Sequence, residues 1–168
     1  MATVIIRPTS DVYRGGCTDQ DGGTSNLYSV IDETVLYTGD YIKSPSGISL
    51  FIRFNFSSSG LTNETINKIT FNFYVNNKST SRGLVYLNST NYYTDISSQS
   101  TTDPEFVSLE LEKNPYTESA WTVSDINSID AGVSMTEGSK HTNKVYQLWI
   151  EVDYISATQK PLPTFFRP

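Results

Sequence analysis

"KITFNFYV", residues 68–75, alternates without a break. Ile69, Phe71, Phe73 and Val75 fall on one side, and Lys68, Thr70, Asn72 and Tyr74 on the other. Only an extended strand gathers such residues onto two faces, because a helix would spread them around its circumference. Just upstream, "ISLFIRFNF" (48–56) repeats the pattern, with Ile48, Leu50, Ile52, Phe54 and Phe56 opposite Ser49, Phe51, Arg53 and Asn55. Two half-buried strands of this kind predict a sheet with one apolar face, which needs a second layer to cover it.

Outward from this pair the same rhythm continues. "ATVIIR" (2–7) reads as a first strand closed by Pro8, and "LYSVID" (27–32) as another short one. "RGLVYLN" and "EFVSLELEK" follow, the latter with Val107, Leu109 and Leu111 alternating with Ser108, Glu110 and Glu112. The longest is "KVYQLWIEVDYI" (144–155), where Tyr146, Leu148, Ile150, Val152 and Tyr154 form the stripe. Polar turns separate these runs. The expectation is an all-β fold, a two-sheet antiparallel sandwich of jelly-roll type with one short helix before the last two strands.

That helix is read from "WTVSDINSIDAGV" (121–133). Thr122 with Asp125 three residues later makes a carboxylate form of the capping box. Ile126, Ile129 and Val133 recur at helical spacing, and Gly132 offers a stop. About two turns cannot persist alone in water, so the helix should lie over the open end of the sandwich with Trp121 as its wedge.

Composition bounds the function. The 168 residues carry a net charge of −6 and 12% aromatics. Scattered basic residues and an acidic balance argue against nucleic acid as a partner. The start of the chain holds no long apolar run, so neither a membrane partner nor export is expected. Cys17 is the only cysteine, which excludes an intrachain disulfide, and a buried, inert thiol is expected. His141 is the only histidine, so no zinc set forms, and no cofactor-binding motif is present. Asp11, Asp19, Asp21, Asp32 and Asp40 are the acidic residues that could gather around calcium, but they lack the spacing of a calcium loop, and no metal is expected. Neither a nucleophile elbow nor a phosphate loop occurs, and no catalytic residue is assigned.

What remains is surface for binding. Tyr92, Tyr93 and Tyr116 fall in or near loops, where flat rings serve glycan stacking or protein contacts. The sandwich domain is assigned to residues 1–155. Residues 156–168, "SATQKPLPTFFRP", form a Pro-rich C-terminal arm that three prolines keep from joining a sheet. Leu162, Phe165, Phe166 and Arg167 within it are expected to bind a partner.

Two segments carry a resemblance. "IRPTSDVYRGGCTDQDGGTSNLYSVIDE…DYIKSPS" and "NPYTESAWTVSDINSIDAGV…KVYQLWIEVDY" resemble the opening and closing parts of small β-sandwich (jelly-roll-like) structural proteins of tailed bacteriophages. Cys17 stands where that family would carry Trp. The resemblance implies a non-enzymatic virion protein, assembled in the bacterial cytoplasm and homo-oligomeric. It would be a capsid accessory (decoration or cement) protein contacting the major capsid protein. The alternative is a tail or fibre module that binds host-surface glycans beside other tail components.

Overall fold

The computed structural model describes residues 1–76, 81–95, 104–135 and 142–156. Their strands are β1 (Ala2–Ile6), β2 (Pro8–Tyr13), β3 (Thr18–Asp19), β4 (Ile42–Lys43), β5 (Leu50–Phe56), β6 (Thr65–Asn76), β7 (Ser81–Leu87), β8 (Thr90–Asp95), β9 (Glu105–Leu111), β10 (Asp130–Met135) and β11 (Lys144–Ile155). A 3-10 turn spans Leu27–Val30, and the helix α1 spans Val123–Asn127.

Two antiparallel sheets face each other. Sheet A runs β3-β4-β11-β6-β9, with β1 also paired to β11, and sheet B runs β2-β5-β10-β7-β8. The pairs β7–β8, β6–β9, β5–β10 and β1–β11 are nested, as in one long hairpin. Rolling that hairpin up adds the pairs β6–β11 and β7–β10, which is the jelly-roll arrangement. The all-β, two-sheet expectation therefore holds, and the single short helix does precede the last two strands.

The alternation in residues 68–75 explains why. Ile69, Phe71, Phe73 and Val75 point inward from β6, and Leu50, Ile52, Phe54 and Phe56 meet them from β5, all buried in one core. At about 25 cal/mol per Å², burying such a layer is the main force holding the sheets together.

Three readings are corrected. Ile48 lies outside β5 and is 51% exposed, because the turn closed by its N–H on the Pro45 carbonyl ends the alternation there. Pro8 closes the first strand as expected, β1 ending at Ile6, and it also opens β2 at the edge of sheet B, where a missing N–H costs no ladder bond. "LYSVID" is no strand. The Asp11 carboxylate accepts hydrogen bonds from the N–H groups of Leu27 (3.0 Å) and Tyr28 (2.9 Å), which fastens a 3-10 turn there. Finally, α1 is one turn long, and Gly132 and Val133 belong to β10, where pairing with β5 and β7 outcompetes helical spacing.

The capping box itself is present, with Asp125 N–H donating to Thr122 Oγ1 and Thr122 N–H to the Asp125 carboxylate. Ile126 reaches the core from α1, and Trp121 is buried with its indole N–H on the Leu111 carbonyl at 3.0 Å. The adjacent Asn127 carboxamide oxygen accepts from Ser59 N–H and both Ser58 and Ser59 hydroxyls, which ties the helix to the loop after β5. In β11 a register shift between Val145 and Gln147 puts Val145 into the core and turns Tyr146 out of the stripe toward Tyr41, 5.6 Å away.

Candidate functional site

The outer face of sheet A is where strand chemistry departs from expectation. Outward positions of a half-exposed sheet should be polar, and Lys68, Thr70, Glu110, Glu151 and Asp153 are. At the other end of the same face stand Tyr74 of β6, Phe106 of β9 and Trp149 of β11. Their ring centroids are 5.2 Å (Tyr74–Phe106), 6.2 Å (Tyr74–Trp149) and 5.8 Å (Phe106–Trp149) apart. Phe106 remains 47% exposed.

Register builds this cluster. Tyr74 pairs directly with Phe106, whereas Trp149 is opposite Asn72, one step along β6. Phe106 and Trp149 come from strands on either side of β6, so both rings lean over it. That accounts for Asn72, an outward-facing amide that is almost fully buried and whose nitrogen has no hydrogen-bond partner among the described residues.

Neighbouring groups hold the rings. The indole N–H of Trp149 donates to Glu151 Oε1 at 3.0 Å. The Arg7 guanidinium lies 5.9 Å from the Trp149 ring and donates to the Glu33 carbonyl. Burial lowers the Arg7 pKa from its ordinary value, partly offset by the charges of Asp32 and Glu33. Gln147 also donates to the Glu33 carbonyl, so one loop oxygen positions two residues at the border of the cluster.

Toward the far end the face becomes charged. Lys68 pairs with Glu110 and lies 4.0 Å from Asp153, which also accepts a hydrogen bond from Thr3 at 2.7 Å. A cleft of about 510 Å³ opens there, lined in part by Lys68, Glu112, Lys113 and Asp153. One face thus joins an aromatic end, able to bind apolar or planar groups, to an end of mixed charge.

The tyrosines singled out from the sequence lie elsewhere. Tyr92 and Tyr93 sit on β8, the edge strand of sheet B, and not in a loop. Tyr92 is opposite Val85, a core residue, and is half-buried; Tyr93 is opposite Leu84 and 44% exposed, its ring 5.8 Å from the Arg82 guanidinium. Adjacent strand residues face opposite ways, so these two cannot form one platform. Tyr116 is exposed, and its hydroxyl accepts a hydrogen bond from Asn88 in the β7–β8 turn at 2.8 Å. Leu162, Phe165, Phe166, Arg167 and His141 lie outside the described residues.

The aspartates do not converge on an ion. Asp11 spends both oxygens on the 3-10 turn, Asp19 accepts from the N–H groups of Asp21 and Gly23, and Asp40 accepts from Gln20. No group of three potential metal ligands occurs among the described residues. Cys17 is fully buried in the core, and burial pushes its thiol pKa up to about 11.

No protein-family model matches the chain, and a search of curated proteins finds no match either.

Proposed function

We propose that this protein is a non-enzymatic structural component of a tailed-bacteriophage virion, assembled in the bacterial cytoplasm, and specifically a capsid accessory protein that binds neighbouring capsid subunits as an oligomer. The observation that carries this reading is the Tyr74–Phe106–Trp149 cluster on the outer face of sheet A, in which Phe106 is exposed and the other two rings are half-buried. Aromatic rings flanked by arginine are the groups that most often anchor protein interfaces, and a sandwich presents them on a rigid frame. The resemblance of the two end segments to phage structural proteins supports the class of particle.

Mass spectrometry of purified virions tests it. The chain should be present at a copy number proportional to the capsid protein, and variants Phe106→Ser and Trp149→Ser, folded by circular dichroism, should be depleted from particles. A chain abundant in lysates but missing from mature virions overturns the proposal. A glycan-binding tail module is the second reading, favoured by exposed Tyr93 and Tyr116. It requires glycan-array signals that fall when either ring is removed.

A further inference from the structure

We infer that β9 takes a partner strand along its free edge: an extended, basic, amphipathic segment of another protein, paired antiparallel with Glu105–Leu111. The inference goes beyond the assembly reading and stands without it, because it concerns what the isolated chain binds.

The edge is open. β9 ends sheet A on one side, with β6 as its strand neighbour among the described residues. Its register runs from Ile69↔Leu111 to Val75↔Glu105 without a shift, so the whole strand keeps regular extended pairing. On such an edge every second residue turns its N–H and C=O away from the sheet. Two other edges are blunted: β2 carries Pro8 and two register shifts, and β3 is two residues long. β9 contains neither a proline nor a bulge.

Its side chains are incompletely covered on both faces. Val107, Leu109 and Leu111 point toward the core, opposite Phe73, Phe71 and Ile69, yet Leu109 and Leu111 are only partly buried. On the outer side Phe106 is 47% exposed, and Ser108 and Glu110 are exposed too. A further strand extends both layers when it alternates apolar residues toward the core with polar ones outward.

Charge selects the occupant. Glu105 opens the strand, Glu110 faces outward within it and Glu112 follows it directly, in a chain of net charge −6. Pairing β9 with β9 of a second copy would gather these carboxylates at one seam, and like charges across a strand pair are destabilising. Lys68 shows the favourable arrangement, reaching from β6 to Glu110 with Asp153 also near its amine. A partner strand with Lys or Arg at its outward positions repeats on the free side what Lys68 does on the paired side.

Peptide binding tests this. The probe is a fluorescein-labelled peptide of alternating Lys and Val, matched in length to β9, and the comparator carries Glu for each Lys. Fluorescence anisotropy with the full chain should show binding of the first and none of the second. Glu110→Lys, folded by circular dichroism, should weaken binding about tenfold. N-methylation of one alternate set of peptide amides should abolish binding and of the other set leave it intact, because only one set faces β9. Hydrogen exchange should slow at alternate amides of residues 105–111 in the complex and stay unchanged in β8. Failure of the Lys peptide to bind, equal binding of the Glu peptide, or equal effects of the two methylation sets overturns the inference. So does self-association of the free chain that protects the same β9 amides, since the edge would then belong to a second copy.

Discussion

The rings of Phe106 and Trp149 lie 21° from parallel with centroids 5.8 Å apart, although β6 runs between the strands that carry them. Each ring has to lean inward over β6 to reach the other, and together they cover Asn72. The pair thus contributes to the fold as well as to the surface. Replacing Phe106 by Ala should cost about 1–2 kcal/mol, since half of its surface is already wet, and replacing Trp149 by Ala about 2–4 kcal/mol. The double variant should cost less than the sum by about 0.5–1.5 kcal/mol, the usual worth of an aromatic pair. Urea denaturation of the four proteins measures this, and strict additivity would show that the stacking carries no energy.

Asp11 fixes a segment that local sequence preference leaves undecided. Its two oxygens accept from consecutive N–H groups at Leu27 and Tyr28, sixteen and seventeen residues away. Asp11→Ala leaves both donors without that partner and should cost about 1–3 kcal/mol. Asp11→Asn keeps one acceptor oxygen and should recover part of the loss. Hydrogen exchange at Leu27 and Tyr28 should accelerate in the Ala variant before exchange in β6 changes; protection unaltered at both amides would refute the role.

The strands were legible because burial on one face writes a period of two into the sequence, as residues 50–56 and 69–75 show. Residues 27–32 misled because apolar Leu27, Val30 and Ile31 fit a short strand equally well, and the deciding carboxylate comes from β2. The stop at Gly132 misled for a related reason: the helix signal is local, while the pairing of β10 with β5 and β7 is not. The aromatic cluster was missed because its members lie 32 and 43 residues apart and only strand register unites them. The signal was there in weaker form, as Tyr74, Phe106 and Trp149 occupy the nominally polar side of their alternations. Large rings at outward positions of three different strands were the pattern to pursue.

Cys17 should behave as a core residue. It is fully buried, and its thiol is held protonated by a pKa near 11, the result of burial partly offset by a hydrogen bond with the Phe51 backbone. Thiol reagents at pH 8 should label the native protein slowly and the urea-unfolded protein at once. The labelling rate should follow the opening equilibrium as denaturant rises. Rapid labelling in native buffer would contradict the burial.

Asp130 makes stability depend on pH in a defined direction. It stands on β10 between Asn55 and Tyr86 and pairs with Arg53 at 3.1 Å, while its second oxygen is buried without a partner among the described residues. Arg53 reaches it from β5 and continues to the Tyr86 ring, 3.7 Å from its guanidinium carbon, across the strand where Gly132 has no side chain. Burial raises the Asp130 pKa from 3.8 to about 6, although Arg53 opposes the shift. Between those two values the folded state binds more protons than the unfolded state, so this group's contribution to stability falls as pH rises from 4 to 6 and is flat above. Lowering the pH from 7 to 5 should therefore raise the stability attributable to this site. Asp130→Asn cannot titrate, so its stability should change less over that interval than that of the parent. Parallel urea melts at pH 5, 6 and 7 read the difference, and identical slopes for the two proteins would place the Asp130 pKa near its ordinary value.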